Sequence, residues 1–355
     1  MTKPETIRWG ISGTGRIARQ FAADIDHAAN ARLTAVAGRS ADKVEAFAGS
    51  LAGVAGFPSL EDMITSGSVD AVYVATSNHV HLDQTLACIR ARMPVLVEKP
   101  LTASLKEALE IRAAARSSGT FVMEAMWARY LPALTAARSA IKAGAIGKVR
   151  RLEADIAWNV PYDPANRLFD KNQGGGALHD IGVYPLSLTR FLLGSPGSVE
   201  GRWHAAPSGV DMGARIVLNY PGAECVVTCG FDRDGNNQLV IKGDDGVLVL
   251  GPLFINANGF AICKSGSVAS LAVPGGSSMQ ARVRRRLFRQ MPLPGLAHHP
   301  HRFQGSGLQF EIEAASKAIL SGLREEPDNT LDDTIAVLET IDAVLARAPQ
   351  TRPVR

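Results

Sequence analysis

Over the first 125 residues, short runs that are apolar at nearly every position alternate with stretches whose apolar residues recur every three or four positions. The runs are TIRWGIS, RLTAVAG, VDAVYVAT, PVLVEKP and FVMEAM. Helical spacing fills the intervals Ile17–Asp26, Asp42–Leu51, Leu60–Ser66, Val80–Arg92 and Leu105–Ser117. Strand and helix in strict alternation predict βαβ units, hence a parallel sheet with helices on both faces. Apolar residues nearly fill these runs, as burial on two faces requires. After about residue 148 the pattern changes. KVRRLEADIAWN, VEGRWHAA, GARIVLNYP, AECVVTCGF, NNQLVIKGDDGVLVLG and FAICKSG are strand-like and joined by Gly, Pro, Asn and Asp turns, which predicts a mostly antiparallel, open sheet. Helical patterns cover Ala177–Leu193, Leu308–Ser321 and Asp332–Ala348. Asn329 or Thr330 can cap the last of these, with Asp332 and Asp333 at its positive end. The fold expected is α/β: a doubly wound Rossmann domain over residues 1–125, and a substrate-binding and oligomerisation α/β domain over 126–355. Gly275–Gly307 reads as the least regular and most mobile segment.

Length agrees with two domains, and 46% hydrophobic with 20% charged residues is ordinary globular composition. The net charge of +4 is too small and dispersed to indicate nucleic acid. The dense basic run Arg282, Arg284, Arg285, Arg286, Arg289 has no aromatic ladder and reads as a solvated loop face, with an anionic ligand or partner as the alternative. Cys88, Cys225, Cys229 and Cys263 make no CxxC pair, which points to reduced thiols. With a strand beginning by Ile7 and no bilayer-length apolar run, a soluble, cytoplasmic chain with no membrane partner is expected. HHPH at 298–301 lacks a nearby carboxylate or thiolate, so no metal is expected.

WGISGTGRIA follows the first strand and opens the first helix, and Gly13, Gly15 and Ala18 fit G-x-G-x-x-[GA]. Such a turn lets backbone N–H groups and a helix N-terminus meet a pyrophosphate. Gly13, Thr14, Gly15, Arg16 and Ile17 are the expected contacts. A strict NAD site usually closes the second strand with an acidic residue for the ribose hydroxyl. Here Gly38-Arg39-Ser40 stands instead, and Arg39, Ser40 and Lys43 suit a 2′-phosphate, favouring NADP over NAD. Thr76, Ser77 and Asn78 end the fourth strand at the ligand-binding edge, although Ser77 or Asn78 is equally a helix cap. His79 and His81 read as surface or capping residues and as cofactor contacts alike.

PVLVEKPL ends the fifth strand at the same edge on Glu98, Lys99 and Pro100, with Glu98 and Lys99 as further expected cofactor contacts. Side chains alternate across a strand, so Glu98 and Lys99 do not form a simple pair. Pro100 stops the strand and restrains Lys99. A lysine held at the lip of a cofactor cleft, partly desolvated, is suited to acid–base catalysis. In GGGALHDIGVYPL, Asp180 and Tyr184 lie one turn apart and can orient a hydroxyl and relay its proton. Pro185 should bend that segment.

Together GISGTGRIA, VEKPL, GGGALHDIGVY and EIEAASKAI resemble the Gfo/Idh/MocA oxidoreductases over nearly the whole chain, and FVMEAMWARYLP is most similar to the branch of dimeric dihydrodiol dehydrogenases and NADP-dependent xylose dehydrogenases. The resemblance implies a Rossmann domain and an α/β domain with the active site between them. It also implies Lys99 and Asp180 as catalytic residues, and Tyr184 at the position tyrosine or histidine holds in relatives. Trp127, Arg129 and Arg167 fall on the substrate side by the same analogy. The expected reaction is reversible hydride transfer between NADP and a hydroxyl-bearing carbon of a sugar-like or cyclic diol substrate, by a homo-oligomer, a dimer or larger. A non-catalytic dinucleotide-binding regulator and a reductase of another carbonyl or an imine are the competing readings. The basic segment 275–307 matches nothing in the family pattern.

Overall fold

The computed structural model describes residues 5–290 and 293–351. It divides into two units, one holding the chain up to Tyr130 with Gln304–Ala336, the other Leu131–Phe303 with the residues from Val337 on.

In the first unit six strands form one parallel sheet in the order β3-β2-β1-β4-β5-β6. They are β1 (Ile7–Ser12), β2 (Ala31–Ala37), β3 (Ala55–Phe57), β4 (Ala71–Val74), β5 (Val95–Glu98) and β6 (Val122–Ala125). Helices α1 (Arg16–Asp24), α2 (Ala41–Ala48), α3 (Leu60–Thr65), α4 (His81–Arg90) and α5 (Leu105–Ser118) connect them. This strand order is the doubly wound arrangement, whose reversal point between β1 and β4 opens a crevice at the carboxyl edge. The short β3, with two exposed residues and one half-buried, carries no apolar run and is missing from the sequence reading. Trp9, Ile11, Phe21, Tyr73, Leu96 and Met123 fill the core. Phe21 stacks on Tyr73 at 4.0 Å between ring centroids, and Trp9 meets Phe21 edge-on at 5.9 Å.

The second unit carries an eight-stranded sheet, β14-β13-β12-β11-β7-β10-β9-β8, antiparallel except for β7 and β10. Its strands are β7 (Val149–Ala157), β8 (Ser198–Ala205), β9 (Asp211–Tyr220), β10 (Ala223–Gly230), β11 (Gln238–Gly243), β12 (Val247–Leu250), β13 (Gly259–Cys263) and β14 (Leu296–Pro300). The helices are α6 (Pro132–Lys142), α7 (Val183–Leu193), α8 (Gly266–Ala272) and α9 (Met279–Gln290). α6 is not among the expected helices, although Pro132 in its first turn is a start signal. The segment expected to be irregular contains α9 and β14; within it Met291 and Pro292 lie outside the described residues.

The chain then returns to the first unit through α10 (Leu308–Leu320), and α11 (Leu331–Leu345) follows. A single boundary near 125 does not anticipate this return. Leu308, Ile312 and Ala315 belong to the same apolar cluster as Trp9, and Trp9 Nε1 donates to Ser316 Oγ at 2.9 Å. Asp24 accepts from the Ser306 and Leu308 N–H groups, satisfying orphan donors at the start of α10. Of the two caps considered for α11, Thr330 Oγ1 accepts from the Asp333 N–H, while Asn329 donates to the Glu124 carbonyl. Among the described residues no helix is long and apolar enough to cross a membrane.

Candidate active site

At the carboxyl edge of the parallel sheet the chain leaves β1 through Gly13 and enters α1 at Gly15. Gly13 has φ +122°, and a Cβ there would sit 2.6 Å from the Ala75 carbonyl oxygen, so only glycine fits the turn. Gly15 differs: a Cβ would meet nothing within 4 Å. As N-cap of α1 it offers no side chain to the first-turn N–H groups, and that turn holds no acidic residue. A helix start of this kind presents N–H donors and a positive dipole end to an anion.

In front of it lies a cleft of about 600 Å³. Gly13, Thr14 and Gly15 line one part, Arg39, Ser40 and Lys43 another, and Thr76 and Ser77 a third. Those eight expected residues are therefore brought together, and among the described residues no carboxylate lines the cleft. The donor set fits a dinucleotide, with N–H groups for a pyrophosphate and cations where a 2′-phosphate would lie. Arg16 and Ile17 stand in the first turn of α1 and do not line the cleft. Asn78 opens a 3₁₀ turn beside it, and α4 begins only at His81 with Val80 as its N-cap, so neither Ser77 nor Asn78 caps that helix. Two polar lining residues, Ser12 and Gln84, are not among the expected contacts. Gln84 accepts from Ser12 Oγ at 3.2 Å and Thr76 Oγ1 at 3.1 Å, bracing both strand ends, and Ser12 stands beneath the glycine turn. Their places follow from the pairing of β1 with β4, which no local signal reveals.

His81 is corrected to a supporting residue. It is fully buried, and its ring nitrogens face the Pro100 carbonyl at 3.0 Å and the Thr76 carbonyl at 3.2 Å. Burial lowers its pKa, although both carbonyls favour the charged form. Glu98 is likewise corrected from a cofactor contact. It is buried, accepts a short hydrogen bond from Tyr73 Oη, and its Oε2 accepts from the Lys99 N–H at 3.1 Å. Burial raises its carboxyl above the ordinary range.

These contacts clamp the turn that carries Lys99. The Lys99–Pro100 peptide is cis. The N–H before it is held by Glu98, the Pro100 carbonyl faces His81, and the Leu101 N–H donates to Glu124 Oε1 at 2.8 Å. Glu124 also accepts from Thr334 Oγ1 at 3.0 Å, and burial raises its carboxyl too. Lys99 itself is half-buried. Glu311, from the EIEAASKAI helix, is buried with no hydrogen-bond partner for either carboxylate oxygen among the described residues. Burial, then the charges of Glu98, Glu124 and Asp24, push it well above the ordinary range, so it favours the protonated form. Replacing Glu124 by Ala strands the buried Leu101 N–H and should cost about 1–3 kcal/mol of stability, read by denaturant unfolding. A cost within a few tenths of a kcal/mol would show that the clamp adds nothing.

In the second unit the glycine run sets up Asp180. Gly176 has φ +117°, and a Cβ there would collide with Asp211 Oδ1. Glycine there lets Asp211 Oδ2 accept from the Leu178 N–H at 2.6 Å; burial pushes this carboxyl up to about 7. A π-helical turn over Leu178–Gly182 precedes α7 and places the irregularity just ahead of Pro185. Tyr184 is buried, and Asp180 Oδ1 accepts from Arg167 Nη2 at 3.3 Å. Arg167 stands on a 3₁₀ turn capped by Asn166, whose side chain accepts from the Leu168 N–H at 3.0 Å. Two expected site residues, Asp180 and Arg167, are thus paired. His179, beside them, is buried, and burial lowers it to about 4.

Trp127 and Arg129 share a 3₁₀ turn after β6. Trp127 packs half-buried against the first core. Arg129, expected on the substrate side, is only 1% exposed, and its Nη1 donates to the Asp328 carbonyl at 2.6 Å and to Asp333 Oδ2 at 3.4 Å. In this unit it acts as an internal strut, buried and tied through Nη1 to the segment that opens α11.

The doubly wound sheet, the glycine turn and the uncapped helix define a dinucleotide-binding fold. Residues 7–126 match the model of the Gfo/Idh/MocA oxidoreductase family with NAD-binding Rossmann fold, and residues 134–249 match the model of the Gfo/Idh/MocA C-terminal domain. The chain belongs to the Gfo/Idh/MocA oxidoreductase family. It is 28% identical over 343 residues to trans-1,2-dihydrobenzene-1,2-diol dehydrogenase of Mus musculus, covering 95% of each chain. The Xenopus laevis enzyme of the same name is 29% identical over 343 residues, covering 95% of this chain and 97% of that one. Among solved structures, the aldose–aldose oxidoreductase of Caulobacter crescentus superposes with TM-score 0.79 at 22% identity, covering 97% of each chain. A 3-ketoreductase from Actinomadura kijaniata, crystallised with NADP and TDP-benzene, superposes with TM-score 0.78 at 23% identity over 97% of this chain and 98% of its own. At these identities the two structures establish the shared fold.

Proposed function

We propose that this oxidoreductase uses NADP and moves a hydride to or from a hydroxyl-bearing carbon of a sugar-like or cyclic diol substrate. The observation that carries the cofactor choice is the cleft itself: Arg39, Ser40 and Lys43 line it and no carboxylate does. Gly13, Thr14 and Gly15 would hold the pyrophosphate on the α1 N-terminus, and Arg39 the 2′-phosphate through its guanidinium fork. The nicotinamide, when bound, supplies the site that takes or gives the hydride. The protein's own task is then the hydroxyl proton. Lys99, on its clamped turn, exchanges that proton with the substrate oxygen. Tyr184 relays or orients it, and Asp180, oriented by Arg167, holds charge and register. The curated relatives named as dehydrogenases of trans-1,2-dihydrobenzene-1,2-diol support the diol side of this substrate class.

The test is a panel of aldoses, inositols and dihydrodiols with NADP and with NAD, followed by the absorbance of the reduced nicotinamide. Turnover of one or more hydroxyl substrates with NADP is expected; none with either cofactor would leave a dinucleotide-binding regulator as the better reading. Arg39→Asp should weaken NADP binding by about 1.5–3 kcal/mol and narrow or reverse the preference. If the unaltered protein binds NAD as tightly as NADP in a titration, the assignment of Arg39 fails.

A further inference from the structure

From Gly246 to Phe310 the sequence contains no aspartate or glutamate and seven lysines and arginines, which leaves 31 basic against 34 acidic residues elsewhere. Positive charge is thus concentrated in one part of a chain that is otherwise slightly acidic. The structure folds this part rather than leaving it as a loop. α8 and α9 pack on the sheet, where Ala269, Ala272 and the half-buried Phe288 join Val247, Val249 and Ala261 in a small apolar cluster. The outer side of α9 leaves Met279, Val283 and Leu287 exposed at 79%, 57% and 46%, spaced four residues apart, with arginines on either flank.

Beside α9, over β13 and β14, lies a pocket of about 490 Å³. Arg285, Arg289, Arg302, His298, His299 and Asn258 line it, and no carboxylate does. Arg285 is fixed in place: Nη1 donates to the Pro274 carbonyl at 2.6 Å and the Gly276 carbonyl at 3.0 Å. Burial, and then the like charges of Arg282 and Arg289, lower its pKa. His299 is stacked on Phe260, also a lining residue, at 4.5 Å and 6°. Guanidinium groups gathered without a counter-charge repel one another, and an anion would offset that repulsion. Fixed forks of N–H donors match phosphate oxygens two at a time.

We propose that this pocket binds the phosphate group of a small molecule. None of its lining residues belongs to the dinucleotide cleft or to the Asp180–Tyr184 segment, so it is a second site. The phosphate can be that of a soluble phosphomonoester or of a lipid headgroup. The apolar ridge of α9 beside the pocket gives the lipid source a surface to rest on.

The test uses the full-length protein and the double charge reversal R289E/R302E; both side chains are exposed, so the fold should survive. Inorganic phosphate and glycerol 3-phosphate are titrated by calorimetry, and phosphatidylcholine vesicles with and without phosphatidic acid are assayed by sedimentation. All are run at about 0.15 M salt, where diffuse surface attraction is screened beyond about 8 Å. Saturable binding of at least one phosphate probe is expected, weakened at least about tenfold in R289E/R302E, with the variant's NADP titration unchanged. Saturation by the free phosphates alone identifies a soluble ligand. Binding only to phosphatidic acid vesicles identifies the headgroup. Either supports the site. No saturable binding of any probe, binding only when salt is removed, or equal binding by R289E/R302E would overturn it. So would a charge-reversed protein that also loses NADP, since the effect would then not be local.

Discussion

Lys99→Met should lower turnover by about 10²–10⁴-fold, the usual contribution of a positioned acid–base group, while NADP affinity changes far less. The separation is expected because the clamp on this turn acts on the backbone. Glu98 holds the Lys99 N–H, Glu124 holds the Leu101 N–H, and His81 faces the Pro100 carbonyl. None of these three bonds uses the lysine side chain, so methionine, which keeps most of the stem, should leave the turn in place. The cleft residues that would hold the dinucleotide phosphates are also untouched. What is removed is the ammonium, and with it the group proposed to exchange the hydroxyl proton. Tyr184→Phe and Asp180→Asn complete the series. A smaller loss for Tyr184→Phe means that the phenol relays or orients; an equal loss makes it the acid itself. The measurement is steady-state kinetics across pH with cofactor titrations alongside. A Lys99→Met enzyme with near-normal turnover and an unchanged pH profile would move the assignment to Tyr184.

The parts of this molecule legible in the sequence are those whose signal is local. β1, α1 and the glycine turn between them are written in eighteen consecutive residues, because a buried strand, a tight turn and a helix start each impose their own composition. The place of Lys99 at the end of β5 is legible for the same reason, as a charged residue closing an apolar run before proline. The residues whose surroundings were least legible are those packed against a distant partner. Arg129 looks like a substrate ligand until Asp333 and the Asp328 carbonyl are found around its guanidinium. His81 looks like a cofactor contact until its ring is seen below the cleft, against backbone carbonyls from two separate strand ends. Glu98 and Glu124 each end up facing a backbone N–H of the Lys99 turn, one from the neighbouring residue and the other from the next strand. Only the packed sheet shows that they serve the same three-residue turn. The return of α10 to the first unit is of this kind too. Its apolar face says that it is buried, and nothing within the helix says against which sheet.

The second large effect belongs to Gly15. Gly15→Val should reduce dinucleotide binding by more than about 3 kcal/mol, or roughly 100-fold, in a protein that still folds. Two glycines shape this turn, and they fail differently. At Gly13 any side chain meets the Ala75 carbonyl, with a Cβ at 2.6 Å, and must adopt φ +122°, so a substitution there damages the turn before it tests the ligand. At Gly15 the backbone is ordinary, φ −76° and ψ −174°, and a Cβ meets nothing within 4 Å. Valine is therefore tolerated by the protein itself, and its structural cost is limited to an unfavourable N-cap, at most about 1 kcal/mol. The open space it enters is the mouth of the cleft in front of the first-turn N–H groups of α1. A branched side chain placed there blocks the close approach on which a pyrophosphate depends, because hydrogen bonds to those N–H groups require contact near 2.9 Å. Binding is read by fluorescence or calorimetric titration with NADP and with NAD, and folding by denaturant unfolding of the same preparation. Loss of both cofactors together is expected, since the pyrophosphate is common to them, in contrast to the selective effect at Arg39. A well-folded Gly15→Val protein that binds NADP as tightly as the unaltered chain would remove this turn from the cofactor site.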